Sequence, residues 1–150
     1  MKPITLTLPL FSANRYLMPV SRGKHLSIMN TKEATAYKAM VRAAATASGF
    51  QKLAGRVKVE LWMFPNRPQD YQTRMRKMGD NWDDSVRAPD IDNISKLLLD
   101  GLKDAVFGDD KFVWQLLSQR MPPDERPARV VVRISQIATD QPQGDLLVAS

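Results

Sequence analysis

A run of acidic residues in the second half of the chain has the side chains best suited to bond-breaking chemistry. Asp90 and Asp92 stand two residues apart, Lys96 follows one helical turn later, and a second acidic pair comes at Asp109 and Asp110. Neighbouring carboxylates repel one another unless a cation shares the site, and magnesium-type ions prefer such oxygen ligands. Because an ion of this kind can activate water toward a phosphate, the run predicts metal-dependent cleavage of a nucleic-acid backbone.

Each of these residues also has an ordinary structural explanation. Asp92 stands where an amphipathic helix should start, and aspartate is a good N-cap. Asp90 follows a proline, and Asp109 and Asp110 follow a glycine, so all three suit turns. Lys96 could be a solvent-exposed partner of an acid one turn away. Since a helix separates the two acidic pairs, they can meet only if the strand after Asp110 returns beside the helix start.

The hydrophobic pattern predicts which elements position these residues. The chain has 150 residues, which suits a single compact α+β domain with a mixed sheet and two main helices in the order β-α-β-α-β-β. We expect an irregular insertion at about 65–88 and a frayed tail from about residue 139. The last two strands are expected to form a hairpin. The predicted strands cover 3–9, 57–64, 112–121 and 129–137; the predicted helices run from a capping box at Asn30 and Glu33 to Gly49, and from Asp92 to Gly108.

The composition favours a polyanionic partner. The net charge is +6 and the isoelectric point is about 9.8. Basic side chains in loop-like stretches can reach phosphates without disturbing a core. His25, the single histidine, fits a loop residue or a phosphate donor. The candidates for DNA contact on these grounds are Lys24, Arg67, Arg74, Arg76, Lys77 and Arg87.

Other classes of function fit the sequence poorly. With no cysteine there is no disulfide or thiolate metal site, and one histidine argues against a histidine-rich one. No glycine-rich phosphate loop and no serine-nucleophile elbow are found. No stretch reaches the roughly 20 apolar residues of a membrane span, and we expect a cytoplasmic protein without a membrane partner.

The same residues resemble a known family, the RusA-type Holliday-junction resolvases of bacteria and their phages. Residues 90–102, DIDNISKLLLDGL, are similar to the family signature Asp-x-Asp-Asn-x-x-Lys-x-x-x-Asp-x-Leu. Residues 107–113, FGDDKFV, resemble the family's acidic pair before a strand. An N-terminal strand that leads to Asn14, Arg15 and Tyr16 is also similar. The 65–88 stretch departs from the shorter members.

The resemblance implies a homodimeric endonuclease that nicks four-way DNA junctions in symmetric pairs during recombination and repair. It implies magnesium or manganese, with no organic cofactor, held by Asp90, Asp92 and Asp110. Asp109 is the next candidate ligand, and Lys96 takes the part of a catalytic lysine. The stretch 14–16 would contact DNA or shape the site. Two alternatives stay open: a nuclease for flaps and other branched DNA, and a non-catalytic junction-binding protein whose acids are caps and turns.

Overall fold

The computed structural model describes residues 3–11 and 31–138, so the predicted tail lies outside the described residues. The described part is α+β with one mixed four-stranded sheet, as predicted. The strands are β1 (Ile4–Pro9), β2 (Val57–Phe64), β3 (Val113–Arg120) and β4 (Arg129–Gln136). The α-helices are α1 (Lys32–Ala47), α2 (Tyr71–Met78) and α3 (Ile91–Leu102), and shorter 3-10 helices cover Gly79–Ser85 and Asp110–Phe112.

The strands lie in the order β1-β4-β2-β3. β4 is antiparallel to both of its neighbours, whereas β2 and β3 are parallel. The predicted hairpin of the last two strands is therefore wrong, because β2 lies between them. Parallel strands need a long crossover connection, and the segment that contains α2 and α3 supplies it. This crossover sets the position of the acidic residues, since α3 leads directly into β3.

The core forms between one face of the sheet and the two longer helices. In β2 the residues alternate between buried and half-buried, which confirms the predicted two-residue period. The helices contribute the apolar stripes expected from their spacing. The buried hydrophobic residues of these three elements are Val57, Val59, Leu61 and Met63 in β2, Ala34, Tyr37, Val41 and Ala45 in α1, and Ile94, Leu97, Leu98 and Leu102 in α3.

The helix ends differ in part from the prediction. Thr31, not Asn30, caps α1: its Oγ1 accepts a hydrogen bond from the Ala34 amide at 3.1 Å. Gly49 follows the C-cap with φ +73°, as expected of a glycine in that place.

The second predicted helix, which is α3, is also bounded differently. Asp90 is its N-cap, and Asp92 lies in the first turn instead of capping it. The helix ends at Leu102, short of the predicted Gly108, because the chain turns at Asp104, whose φ is +68°. Val106 is nevertheless buried as the apolar spacing indicated, since its amide bonds to the Leu102 carbonyl at 2.9 Å in the turn.

The 65–88 insertion is not irregular as predicted but contains α2 and the 3-10 helix. Neither helix buries a residue. Tyr71, Met75 and Met78 have helical spacing, but the run covers only two turns, which is too short to identify a helix from the sequence. Polar bonds hold the two together instead. Arg74 is bonded to Asp70 at 2.9 Å and to the Ser85 carbonyl at 3.1 Å, and the Tyr71 ring lies 6.4 Å from that of Trp82.

Within residues 3–11 and 31–138, no helix combines the length and the apolar content needed to cross a bilayer.

Candidate active site

Three of the sequence-predicted residues lie together where α3 begins. Asp90, Asp92 and Lys96 line one pocket of about 750 Å³, which the end of β3 also borders, and all three are exposed. Asp90 makes no side-chain capping bond although it is the N-cap. Within the described part of the chain, neither aspartate forms an ion pair. Both carboxylates are therefore open to a ligand that enters the pocket.

The first turns of α3 are fixed to β3 by a buried serine. Ser95 donates a hydrogen bond to the Ile91 carbonyl at 2.7 Å, and its hydroxyl lies 2.6 Å from that of Ser118 in β3. Sequence reasoning missed both residues. Ser95 could have been found, since it shares the helical face of Leu98 and Leu102 and so falls inside the apolar stripe. Nothing in the sequence around Ser118 indicates its partner.

The second acidic pair lies at the other end of α3. Asp109 accepts a hydrogen bond from the Asp110 amide at 2.6 Å, and its carboxylate is 3.9 Å from Nζ of Lys103, which follows the last residue of the helix. A 12-residue helix is about 18 Å long, so its length separates this pair from Asp90. The strand after Asp110 begins beside the helix end and not beside its start.

The separation of the two pairs limits what one chain can bind. Among the described residues, no three His, Cys, Asp or Glu side chains lie close enough together to hold a metal ion. A single copy thus brings together Asp90, Asp92 and Lys96 but not Asp110. Carboxylate oxygens in pairs are suitable ligands for hard divalent ions, although two are fewer than such ions usually take from protein and water together.

A basic residue that the sequence did not single out borders the same pocket. Arg120, the last residue of β3, donates from Nη2 to the carbonyls of Asp83 at 3.1 Å and Val86 at 2.6 Å. These bonds attach the insertion to the sheet. The position of Arg120 depends on the parallel pairing of β3 with β2, which the chain's local pattern does not reveal.

The basic residues predicted to contact DNA have different surroundings. Arg74 donates hydrogen bonds to the Asp70 carboxylate and the Ser85 hydroxyl within the insertion, so its role is mainly structural. Arg67 covers the Tyr71 ring, with its guanidinium carbon 4.0 Å from the ring centre. The two cations of the last α2 turn, Arg76 and Lys77, are exposed.

The remaining predicted contacts lie elsewhere or outside the described residues. Arg87 is exposed and borders a second pocket of about 460 Å³, which Arg74 also lines. The four N-terminal candidates, and His25 with them, fall among residues that the structure does not describe: Asn14, Arg15, Tyr16 and Lys24.

Comparison with known proteins identifies one family. A model of the family described as endodeoxyribonuclease RusA matches residues 9–135, from the end of β1 almost to the end of β4. No curated protein matches the sequence significantly. The matched region contains both acidic pairs, Lys96 and the insertion, and it covers well over half of the chain. The chain therefore belongs to the RusA family of endodeoxyribonucleases.

Proposed function

We propose that the protein is a divalent-metal-dependent endonuclease that resolves four-way DNA junctions by paired symmetric nicks. Its place would be DNA recombination and repair in the cytoplasm. The observation that carries the proposal is the grouping of Asp90, Asp92 and Lys96 in one open pocket, in a chain that belongs to a family of endodeoxyribonucleases. The positive net charge of +6 supports a polyanionic substrate, with an affinity that falls steeply as salt rises.

The two carboxylates fit a divalent ion by their chemistry. Asp90 and Asp92 offer hard oxygen ligands that form no ion pair among the described residues, and magnesium or manganese would be held there. Such an ion lowers the pKa of the water bound to it and stabilises negative charge on a phosphate.

The chain itself contributes two groups that favour a phosphate in this pocket. Lys96 is exposed one turn beyond Asp92 and can offset charge that develops on the phosphate or on the departing oxygen. The start of α3 carries the partial positive charge of the helix dipole, which attracts an anion. The partly buried hydrogen bond between Ser95 and Ser118 keeps Lys96 and the helix start in a fixed position relative to β3.

A second copy of the chain would complete the metal site. Among the described residues β3 is an edge strand of the sheet, and three large apolar side chains on it are exposed: Trp114 at 54%, Leu116 at 47% and Leu117 at 43%. A long, apolar, unpaired edge is a surface that associates with another strand. We propose that two copies pair here in a homodimer.

The two-fold symmetry of such a dimer explains the separated acids. When two β3 strands pair in antiparallel fashion, the beginning of one lies beside the end of the other. Asp110 precedes the beginning of β3, whereas Asp90 and Asp92 lie near its end. The second copy's Asp110 would then approach the aspartates of the first, and each dimer would have two composite sites, one for each nick.

One observation favours a second candidate function. Because no three acidic or histidine side chains group within the described part of one chain, a non-catalytic junction-binding protein is also consistent with the structure. In that case the acids serve as a helix cap and as turn residues.

Incubation with an end-labelled four-way junction tests the proposal against this alternative. In magnesium we expect paired nicks at symmetric positions of two opposing strands, and none in EDTA. A linear duplex and a flap of the same sequence are the control substrates. Tight binding without nicking in magnesium or manganese would contradict the proposal and support the binding protein, whereas preferred cutting of the flap would identify a different branched substrate.

A further inference from the structure

Arg120 is held by hydrogen bonds, as Arg74 and Arg129 are, but no carboxylate neutralises its charge among the described residues. Arg74 and Arg129 each form an ion pair with a carboxylate, at 2.9 Å and 2.8 Å. The two acceptors of Arg120, the carbonyls of Asp83 and Val86, are neutral. No ion pair among residues 3–11 and 31–138 includes Arg120. Its side chain is thus held in place while its full positive charge stays available.

The geometry of these bonds leaves part of the guanidinium open. Both are made by Nη2, and no hydrogen bond from Nε or Nη1 occurs within the described residues. Because both two-donor forks of a guanidinium include Nη2, the donors left open at Arg120 act singly: Nε–H and Nη1–H can each donate a charge-assisted hydrogen bond to a phosphate oxygen. Arg120 lines the same pocket as Asp90, Asp92 and Lys96. Neutral carbonyls hold the Arg120 cation in the pocket that Asp90 and Asp92 line. This arrangement suits an anionic ligand that contacts Arg120 directly and the two carboxylates through a metal ion.

We infer that Arg120 binds a phosphate of the DNA backbone in this pocket, and that the insertion orients it for this role. The inference rests on the proposed function, because the ligand is a DNA phosphate. Arg120 lies outside the acidic motif. Two carbonyls of the 79–86 segment hold its guanidinium, so this segment contributes to the site. The insertion thereby acts on the site through Arg120 and not by contact with the acids.

Three variants separate phosphate binding from a structural role. Arg120→Gln removes the charge, and Arg120→Lys keeps the charge but loses the guanidinium that the carbonyls of Asp83 and Val86 hold in place. Arg42→Gln is the matched control, because Arg42 also donates from Nη2 to a backbone carbonyl, that of Asp100 at 3.1 Å, on an exposed part of α1. Thermal unfolding of each variant reports any loss of structure.

The first measurement is junction binding in EDTA as a function of salt. Log K falls as log salt rises, and one lost phosphate contact lowers the steepness of this fall by about 0.9. We expect this decrease for Arg120→Gln, whereas Arg120→Lys and Arg42→Gln should keep the slope of the natural protein. An unchanged slope for a folded Arg120→Gln would overturn the inference, since a merely structural arginine leaves the number of phosphate contacts as it was.

The second measurement is single-turnover cleavage in magnesium at saturating junction. Both Arg120 variants should cut at least about tenfold more slowly, because a misoriented phosphate loses transition-state stabilisation, and Arg42→Gln should cut at the natural rate. Should Arg120→Gln fail to fold, Arg120→Lys decides: a natural rate overturns the inference. If the natural protein binds without cutting, the proposed function fails, and the salt slope alone then supports or overturns phosphate binding by Arg120.

Discussion

The hydroxyl oxygens of Ser95 in α3 and Ser118 in β3 lie 2.6 Å apart. Because Ser95 donates its only hydroxyl hydrogen to the Ile91 carbonyl, Ser118 is the donor between the two serines. This chain of two hydrogen bonds joins the first turn of α3 to the edge strand at the pocket that contains Asp92 and Lys96. The helix start, and with it the spacing of the acids from β3, is fixed by polar bonds in addition to the apolar core.

We predict that the two serines are energetically coupled. Ser118→Ala should lower the free energy of unfolding by about 1 kcal/mol, since one partly buried hydrogen bond is lost. Ser95→Ala should cost a similar amount, and the double variant should cost less than the sum of the two, by about 0.5–1 kcal/mol. Urea denaturation of the four proteins measures this difference. Strictly additive costs would mean that the hydroxyls do not interact in solution.

Removal of one carboxylate charge should separate cleavage from binding. Asp92→Asn is expected to slow junction cleavage by at least about 100-fold, because the proposed metal site loses one of its ligands. Junction binding should stay equal or become tighter, since one charge that repels phosphate is removed. Asp92 is not the N-cap, so the helix content by circular dichroism should not change.

Asp104→Asn is the matched control for this prediction. Asp104 is an exposed aspartate with φ +68°, a conformation that asparagine tolerates well. This variant should cleave and bind like the natural protein. A loss of binding in Asp92→Asn together with a loss of helix content would instead identify Asp92 as a structural residue.

Gly101 should be intolerant of even a methyl group. A Cβ built there would lie 2.7 Å from Cβ of Val41 and 3.0 Å from the Lys38 carbonyl, where α3 and α1 pack closely. Glycine to alanine inside a helix usually stabilises by about 1 kcal/mol, but here we expect a loss of about 1–3 kcal/mol from overpacking. Gly108→Ala, whose nearest neighbour would be Phe112 at 3.5 Å, should change stability by less than about 0.5 kcal/mol. Stabilisation by Gly101→Ala in urea denaturation would contradict the observed packing.

The ion pair of Asp124 and Arg129 should make stability depend on pH in the acid range. The hydrogen bond from Arg129 lowers the pKa of Asp124 to about 2, from an ordinary value of about 3.9. Between these values the unfolded chain binds more protons than the folded chain, so the contribution is complete above about pH 4 and is lost as the pH falls to about 2. Thermal midpoints of the natural protein and of Asp124→Asn should therefore converge over this range. A constant difference between the two midpoints would show that Arg129 does not lower the pKa of Asp124.

The parts of the fold that could be predicted are those with a strong local pattern. The alternation of Val57, Val59 and Leu61 indicated a strand, and the spacing of Leu98 and Leu102 indicated a helix. Strand order could not be predicted in the same way, because the placement of β2 between β3 and β4 depends on contacts far apart in sequence. Helix α2 was missed because the helical spacing of Tyr71, Met75 and Met78 covers only eight residues, too short a run to distinguish a helix from a loop.

The candidate site was predictable only in part for the same reason. Asp90, Asp92 and Lys96 are local to one helix, so their spacing alone places them together. The relation of Asp110 to them depends on which end of α3 lies beside the start of β3, and that is a property of the parallel crossover. Arg120 reaches the pocket only through the pairing of β3 with β2, which also explains why it was not foreseen.

A mixed dimer tests the central claim most directly. Asp92→Asn and Asp110→Asn subunits with different affinity tags are co-expressed, and the species that carries both tags is isolated. In this heterodimer one composite site has all of its natural acids and the other lacks two, so we predict nicking of a labelled four-way junction in magnesium, on one strand at a time, and none in EDTA. Each homodimeric variant should be inactive. An inactive heterodimer, beside an active natural dimer with the same two tags, would contradict a metal site shared between two copies.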